Sequence, residues 1–249
     1  MHPELIRIYA EGTIPGANGE GIQVTSHIPR EEAELLYAAI EGAGRGDALE
    51  VGMAFGVSSL ALADALARRD PDSRLVVMDP AQHDDTWRGL GLKQIERAGL
   101  GNRIEFHERS SQVVLPELWQ RGRRFSVAFI DGWHTFDHTL VDCFYADKML
   151  DVGGCLVLDD VGYPAIRRVA AFLLANREYS LQSVAMGGRQ SAPRPFLSSI
   201  KRLLGRLTRT DATPRPEHQA VFRALEGAQA VALRKVGNDE RRFDHYAAF

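Results

Sequence analysis

The residues with the most chemistry in this chain fall in two short segments, Asp131 to His134 and Asp159 to Asp160. Each follows an apolar run, AFI before Asp131 and LVL before Asp159, so both carboxylate groups are expected at the ends of β-strands. Neighbouring strands lie about 4.8 Å apart, and carboxylates at two adjacent strand ends can therefore share one ion. Three hard oxygen ligands, Asp131, Asp159 and Asp160, with no cysteine beside them suit magnesium or a similar divalent cation. His134 is the candidate general base, since an imidazole with an ordinary pKa of about 6.5 can accept a proton at neutral pH. Trp133 and Trp87 could wall such a site against water. The plainer alternative has Asp159 and Asp160 ending a strand and capping the next helix, with His134 on a surface loop. His138 follows His134 by four residues, but no glutamate follows His134, which argues against a zinc-protease pattern.

A second group begins with LEVGMAFGVSS, Leu49 to Ser59, which runs off an apolar strand into a helical pattern. Gly52 and Gly56 suit a tight turn whose backbone approaches a ligand closely. The spacing E-x-G-x-x-x-G differs from the G-x-G-x-x-G of dinucleotide sites, so a ligand without a pyrophosphate fits better. Glu50 could take the ammonium group of an amino acid, and the backbone amides around Met53 to Ser58 its carboxylate. Ser58 adds a hydroxyl to that turn or caps the helix. The next strand ends in Asp79, twenty-three residues past Gly56, where a carboxylate can accept hydrogen bonds from both hydroxyls of a ribose. A third strand ends at Glu108, and Ser110 and Ser111 follow it, where an adenine ring would lie. Taken singly, a glycine pair is a plain turn and a strand-ending aspartate a turn former. Their order along the chain carries the reading.

These residues need a scaffold that brings several strand ends together. Short β-rich runs alternate with helical patterns from about residue 47, as in parallel strands joined by crossover helices. The strand candidates begin near Ala48, Arg74, Arg103, Phe125 and Gly154, with two weaker ones at 179–186 and 230–236. Between them the pairs Leu62/Leu66, Leu140/Phe144 and Ile166/Ala170 are spaced for one buried helical face. Pro29 and an acidic first turn open a leading helix that keeps Leu36 and Ile40 on one face and stops at Gly42. Asp84 and Asp85 are expected to cap a helix containing Trp87. The expectation is an α/β fold, a doubly wound Rossmann-like sheet with helices on both faces, in one domain spanning 1–249. That domain would carry an N-terminal extension, 1–28, and a proline-rich basic insertion, about 188–217, in which Leu197, Ile200, Leu204 and Leu207 could form an apolar stripe. A lid or oligomer contact, a solvated loop and a membrane-surface helix are the readings of that insertion.

Composition sets outer limits. With 249 residues, 45% of them hydrophobic, the chain can bury a sizeable core. Thirty basic residues against 33 acidic ones, a net charge of −3, do not favour nucleic acid or an anionic membrane as partner. Cys143 and Cys155 have no metal-ligand or redox spacing and are expected to be buried free thiols. No apolar stretch is long enough for a transmembrane segment and no leader pattern opens the chain, so the expected location is cytoplasmic.

Through LEVGMAFG and VVMD the sequence resembles the class I S-adenosylmethionine-dependent methyltransferases, from about Gly42 to Gly162, and ALRKVGNDERR is similar to the last strand of those families. The resemblance implies a seven-stranded sheet, mostly parallel with an antiparallel last strand. It also implies S-adenosylmethionine held by Glu50, Gly52, Met53, Gly56, Ser58, Asp79, Ser110 and Ser111, its activated carbon facing Asp131. The stretch from Ile130 to Asp160 is similar to small-molecule O-methyltransferases of the class 24 type, including metal-dependent enzymes that methylate macrolide sugars. That similarity implies metal ligands at Asp131, Asp159 and Asp160, with His134 in the place of the base. Some of those relatives carry glutamate where this chain has Asp159. The expected reaction is methyl transfer to a hydroxyl of a small molecule, such as a sugar or glycoside. The other readings are a nicotinamide-dependent oxidoreductase and a non-catalytic scaffold that keeps the fold. The acceptor and any homo-oligomeric assembly are not encoded in these motifs.

Overall fold

The computed structural model describes residues 1–186, 225, 227–245, 247 and 249. The basic insertion at 188–217, with its apolar stripe, lies outside the described residues. Seven strands form one sheet: β3 (Ala48–Val51), β4 (Leu75–Met78), β5 (Ile104–His107), β6 (Phe125–Ile130), β7 (Leu150–Leu158), β8 (Tyr179–Met186) and β9 (Ala228–Lys235). Their order across the sheet is β5-β4-β3-β6-β7-β9-β8. The strands from β5 to β7 pair in parallel, while β9, last in the chain, runs antiparallel between β7 and β8. The expected sheet is therefore present, and every expected strand is a member of it. The last strand is shifted by one or two residues at its ends, and β7 starts at Leu150, not Gly154. A side chain at Gly154 would meet Asp151 O and Ser126 O at 2.8 Å, so the glycine lies inside the strand, where the backbones crowd.

Alternation along the strands separates two cores. Leu75 and Val77 face one side with Val127, Phe129 and Val157, whereas Val76 and Met78 face the other with Ala128, Leu156 and Leu158. The first side is covered by α2 (Arg30–Gly42), α3 (Val57–Arg69) and α4 (Leu90–Arg97), and the second by α5 (Ser111–Gln120), α6 (Phe136–Met149) and α7 (Pro164–Asn176). Burying each large apolar side chain contributes about 1.5–3 kcal/mol. Leu36 and Ile40 on α2, Leu62 and Leu66 on α3, and Ile166 and Ala170 on α7 are buried as expected. On α6 the expected pair is displaced. Phe144 is 40% exposed, and the inner face is Thr139, Cys143, Ala146 and Met149 instead.

One local reading gains detail and another needs correction. Residues 1–28, expected as an extension, are folded onto the sheet: α1 (Pro3–Glu11) and a hairpin of β1 (Thr13–Pro15) and β2 (Gly21–Gln23) put Leu5, Ile8 and Ile14 into the first core. His2 Nδ1 caps α1 by accepting from Glu4 N, and Gly12 ends it in the left-handed region. Asp84 and Asp85 cap no helix, because α4 begins at Leu90 behind Gly89, and Trp87 lies in the preceding turn, edge-on to Phe55 at 4.9 Å. Both cysteines are free and buried.

Candidate active site

The progression of strands reverses between β3 and β6, because the crossovers through α3 and α4 build outward to β5 and the chain then returns through α5 to the other side of β3. Ligands of such sheets bind outside the carboxyl ends of the strands at that point. The turn leaving β3 is built for close approach. Gly52, Ala54 and Gly56 all have positive φ, at 93°, 47° and 76°. A Cβ at Gly52 would come within 2.1 Å of Asp131 O, and one at Gly56 within 2.8 Å of Gly91 O. Glycine is the residue that meets both constraints.

Side chains from two strands hold this turn. Asp79 Oδ2 accepts from Met53 N at 3.0 Å and Ala54 N at 2.9 Å, and Oδ1 accepts from Ala81 N at 2.9 Å with one lone pair left for another donor. Gln82, which the sequence reading did not single out, is wholly buried; its Nε2 donates to Ala54 O at 2.9 Å and its Oε1 accepts from Gly91 N at 3.0 Å. Glu50 is also wholly buried. Ser59 Oγ donates to its Oε2 at 2.6 Å, and Oε1 has no partner. Burial pushes the Glu50 carboxyl up to about 7, against the pull of the Ser58 and Ser59 hydroxyls. Ser58 is not a cap, since Gly56 holds that position. Its hydroxyl turns inward to Glu50.

Across the reversal, Asp131 follows β6, and Asp159 and Asp160 follow β7. His134 Nε2 lies 3.2 Å from Asp131 Oδ1 and 3.5 Å from Asp160 Oδ2. Among the described residues these three form a group whose ligating atoms all lie within 4.8 Å of one another. Asp159 faces elsewhere: its Oδ1 accepts from Asp160 N and from Gln229 Nε2. Gln229 Nε2 also lies 2.8 Å from Asp160 Oδ1, so one amide from β9 ties both aspartates. Asp160 itself has φ of 53°, a left-handed conformation held in a non-glycine residue.

Electrostatically the cluster carries surplus negative charge. Burial first, then the charge of Asp159, pushes the Asp131 carboxyl well up, while His134 pulls it down. The hydrogen bond to Asp131 raises the His134 imidazole above its ordinary value. Burial and the charge of Asp160 raise Asp159. Glu32, on the inner face of α2, meets the same group. Burial and the charges of Asp159 and Asp131 push it up to about 11, so it is neutral at pH 7. Its acidic character had marked it only as a residue of a helix's first turn. Tyr163 stacks on His134 at 5.7 Å and 16°, whereas Trp133 is 70% exposed with its ring tilted against His138. Trp133 therefore projects into solvent and does not wall the site as expected, and Trp87 packs on Phe55.

The remaining expected positions lie at the start of α5. Ser110 precedes the helix without a side-chain capping bond, and the Ser111 hydroxyl bonds to buried Asp142 of α6.

Residues 49–161 match the family model described as a methyltransferase domain. That segment, somewhat less than half of the chain, is similar to methyltransferase domains. The chain is 32% identical over 107 residues to tricin synthase 2 of Oryza sativa subsp. japonica, covering 42% of this chain and 35% of the relative. Caffeoyl-CoA O-methyltransferase 2 of Petunia hybrida is 28% identical over 137 residues, 52% of each chain. The domain thus spans a third to about half of the length of these relatives. Among solved structures, the O-methyltransferase from Bacillus cereus in complex with SAH superposes with a TM-score of 0.59 at 17% identity, covering 92% of this chain and 87% of that one. The O-methyltransferase TomG from Streptomyces achromogenes, in complex with SAM, gives 0.56 at 20%, with 83% and 80% covered. An rRNA methylase from Streptococcus thermophilus gives 0.54 at 12%, with 85% and 100% covered, so the methyltransferase fold alone does not choose the acceptor. Among the described residues no helix is long and apolar enough to cross a membrane.

Proposed function

We propose that this chain is an S-adenosylmethionine-dependent O-methyltransferase that methylates a hydroxyl of a small molecule, with a sugar or glycoside the first acceptors to try. The observation that carries the reading is His134 Nε2 poised between Asp131 and Asp160, directly across the strand reversal from the glycine turn. Glu50 supports an amino-acid ligand, since its unpartnered buried Oε1 lacks a donor that an ammonium group would supply. Asp79 keeps a lone pair for a ribose hydroxyl. S-adenosylmethionine would supply a methyl group activated on a sulfonium, so that the acceptor oxygen bonds to that carbon while the carbon–sulfur electron pair passes to sulfur. His134 Nε2 takes the proton of the acceptor hydroxyl, its basicity raised by Asp131. Alignment of oxygen and methyl by fixed strand ends is the other requirement.

A divalent cation fits the donor set. Asp131 and Asp160 bring two carboxylates to one imidazole, with Asp159 beside them on Gln229, and burial followed by neighbouring carboxylate charge holds Asp131 and Asp159 above their usual range. Asp131 and Asp160 would hold the ion, with Asp159 joining them by turning from Gln229. Such an ion would supply Lewis acidity that lowers the pKa of an acceptor hydroxyl. The buried free thiols of Cys143 and Cys155 suit a reducing, cytoplasmic setting. The test is methyl transfer from labelled S-adenosylmethionine to a panel of sugars, glycosides and phenols. No binding of the cofactor at millimolar concentration would reject the reading, and turnover unchanged by a chelator would remove the metal from it.

A further inference from the structure

Tyr163 carries a large ring where packing does not require one. It is 50% exposed, and the core beside it in sequence is closed by buried Val161 and Ile166. Its backbone, by contrast, is fixed. Tyr163 N donates to Asp160 O at 2.8 Å, and Tyr163 O accepts from Arg167 N at 3.0 Å at the start of α7. Pro164 occupies the first helical position, where its fixed φ suits the turn. The Arg167 guanidinium reaches back to Val161 O at 3.2 Å and Gly162 O at 2.9 Å, which ties the link after Asp160 to the helix. The ring placed by this link lies nearly parallel to the His134 imidazole, with centroids 5.7 Å apart and planes 16° apart.

The imidazole needs such a wall. His134 sits between β6 and α6 with 39% of its side chain exposed, and both carboxylates meet it through one atom, Nε2, at 3.2 Å from Asp131 and 3.5 Å from Asp160. Contacts at a single atom fix a point and leave the ring free to swing about it. A parallel ring fixes the plane, since offset aromatic pairs attract at centroid separations of about 4.5–7 Å. We propose that Tyr163 is a positioning residue, whose ring holds the His134 imidazole in the plane from which Nε2 meets an acceptor hydroxyl. The proposal rests on the reading of His134 as the base, and it gives Tyr163 no contact with acceptor or cofactor. Its phenol oxygen takes no part, so the ring alone carries the role. A reacting group displaced by an ångström loses on the order of 10²-fold in rate, so a freely turning base costs turnover and leaves binding intact.

The test compares Tyr163→Phe, which keeps the ring, with Tyr163→Leu, which removes it, both in the full chain. Tyr163→Met takes the place of the leucine variant if that chain does not fold. The first readout is the proton spectrum of the His134 ring, assigned by its loss in His134→Gln. The ring current of Tyr163 should shift these resonances in the wild type and in Tyr163→Phe, and Tyr163→Leu should lose the shift. The second readout is methyl transfer from labelled S-adenosylmethionine to whichever sugar, glycoside or phenol the wild type accepts. Tyr163→Leu should lower kcat about tenfold or more with both KM values within about twofold, and Tyr163→Phe should recover kcat to within about threefold of wild type. A raised KM at constant kcat would make Tyr163 an acceptor contact, and a phenylalanine variant as slow as the leucine one would give the role to the hydroxyl. Either result overturns the proposal. So does a His134 spectrum indifferent to Tyr163→Leu, which needs no acceptor and decides even where no compound of the panel is turned over. Wild-type turnover by His134→Gln instead rejects the base reading on which the proposal rests, and leaves the spectral result as it stands.

Discussion

Glu50 keeps a carboxyl group where water does not reach it, and the fold carries the electrostatic cost. A buried acid whose folded pKa is raised binds its proton more tightly folded than unfolded. Its contribution is intact below about pH 4.5, is lost as pH rises towards about 7, and the full penalty stands above that. The loss is at most on the order of 3 kcal/mol. Glu50→Gln should therefore raise the melting temperature of the unliganded protein at pH 8, have little effect at pH 4.5, and abolish binding of S-adenosylhomocysteine. A variant that melts no higher at pH 8 would show that the charge is better solvated than its burial implies. Glu32, neutral because burial and neighbouring carboxylates hold it up to about 11, gives the complementary case. Glu32→Gln should change stability by less than about 1 kcal/mol by urea unfolding at pH 7, whereas Glu32→Ala opens a cavity and should cost several-fold more. His134→Gln should lower turnover about 10²- to 10⁴-fold with binding of S-adenosylhomocysteine unchanged by calorimetry. Equal turnover would pass the base role to another group.

At the level of elements, the turn between β3 and α3 is held by parts distant in sequence. Asp79 reaches it from β4, Gln82 from the segment after β4, and Gly91 from α4, so the turn is a junction of three segments. Its geometry should be brittle. Gly52→Ala must move Asp131 O or the turn itself, because positive φ and a 2.1 Å approach both oppose a methyl group. Strain of this kind costs at least about 1–3 kcal/mol. Loss of cofactor binding should accompany it, read by urea unfolding and calorimetry on the same sample. Gln82→Ala leaves Ala54 O and Gly91 N without partners and should cost about 1–3 kcal/mol; a neutral result would mean that water replaces the amide.

Among the described residues, helices cover both faces of one sheet, and the reactive side chains lie at one end of its central strands. A ligand bridging that end should stabilise the entire cooperative unit. S-adenosylhomocysteine at a hundred times its Kd should add about 2.7 kcal/mol, a rise of roughly 5–10 °C in Tm, while NAD should add nothing. A shift with NAD and none with the methyltransferase ligand would favour the oxidoreductase alternative.

The sequence by itself determined the strands, the buried faces of most helices, the glycine turn and the positions of Asp131, His134 and Asp160, because these depend on apolar periodicity and on residues close in the chain. It also held the signs of α1, with Pro3 at the start, Gly12 at the end and Leu5 and Ile8 spaced for one face, although they were read only as an extension. Only the tertiary structure decided which carboxylates meet. Glu32 comes to the cluster from a helix before the sheet and Gln229 from a strand after it, and the Ser111 hydroxyl of α5 reaches buried Asp142 of α6. Such partners are set by sheet order and helix packing, which put residues far apart in sequence within a few ångströms, and no local pattern of residue types records that distance.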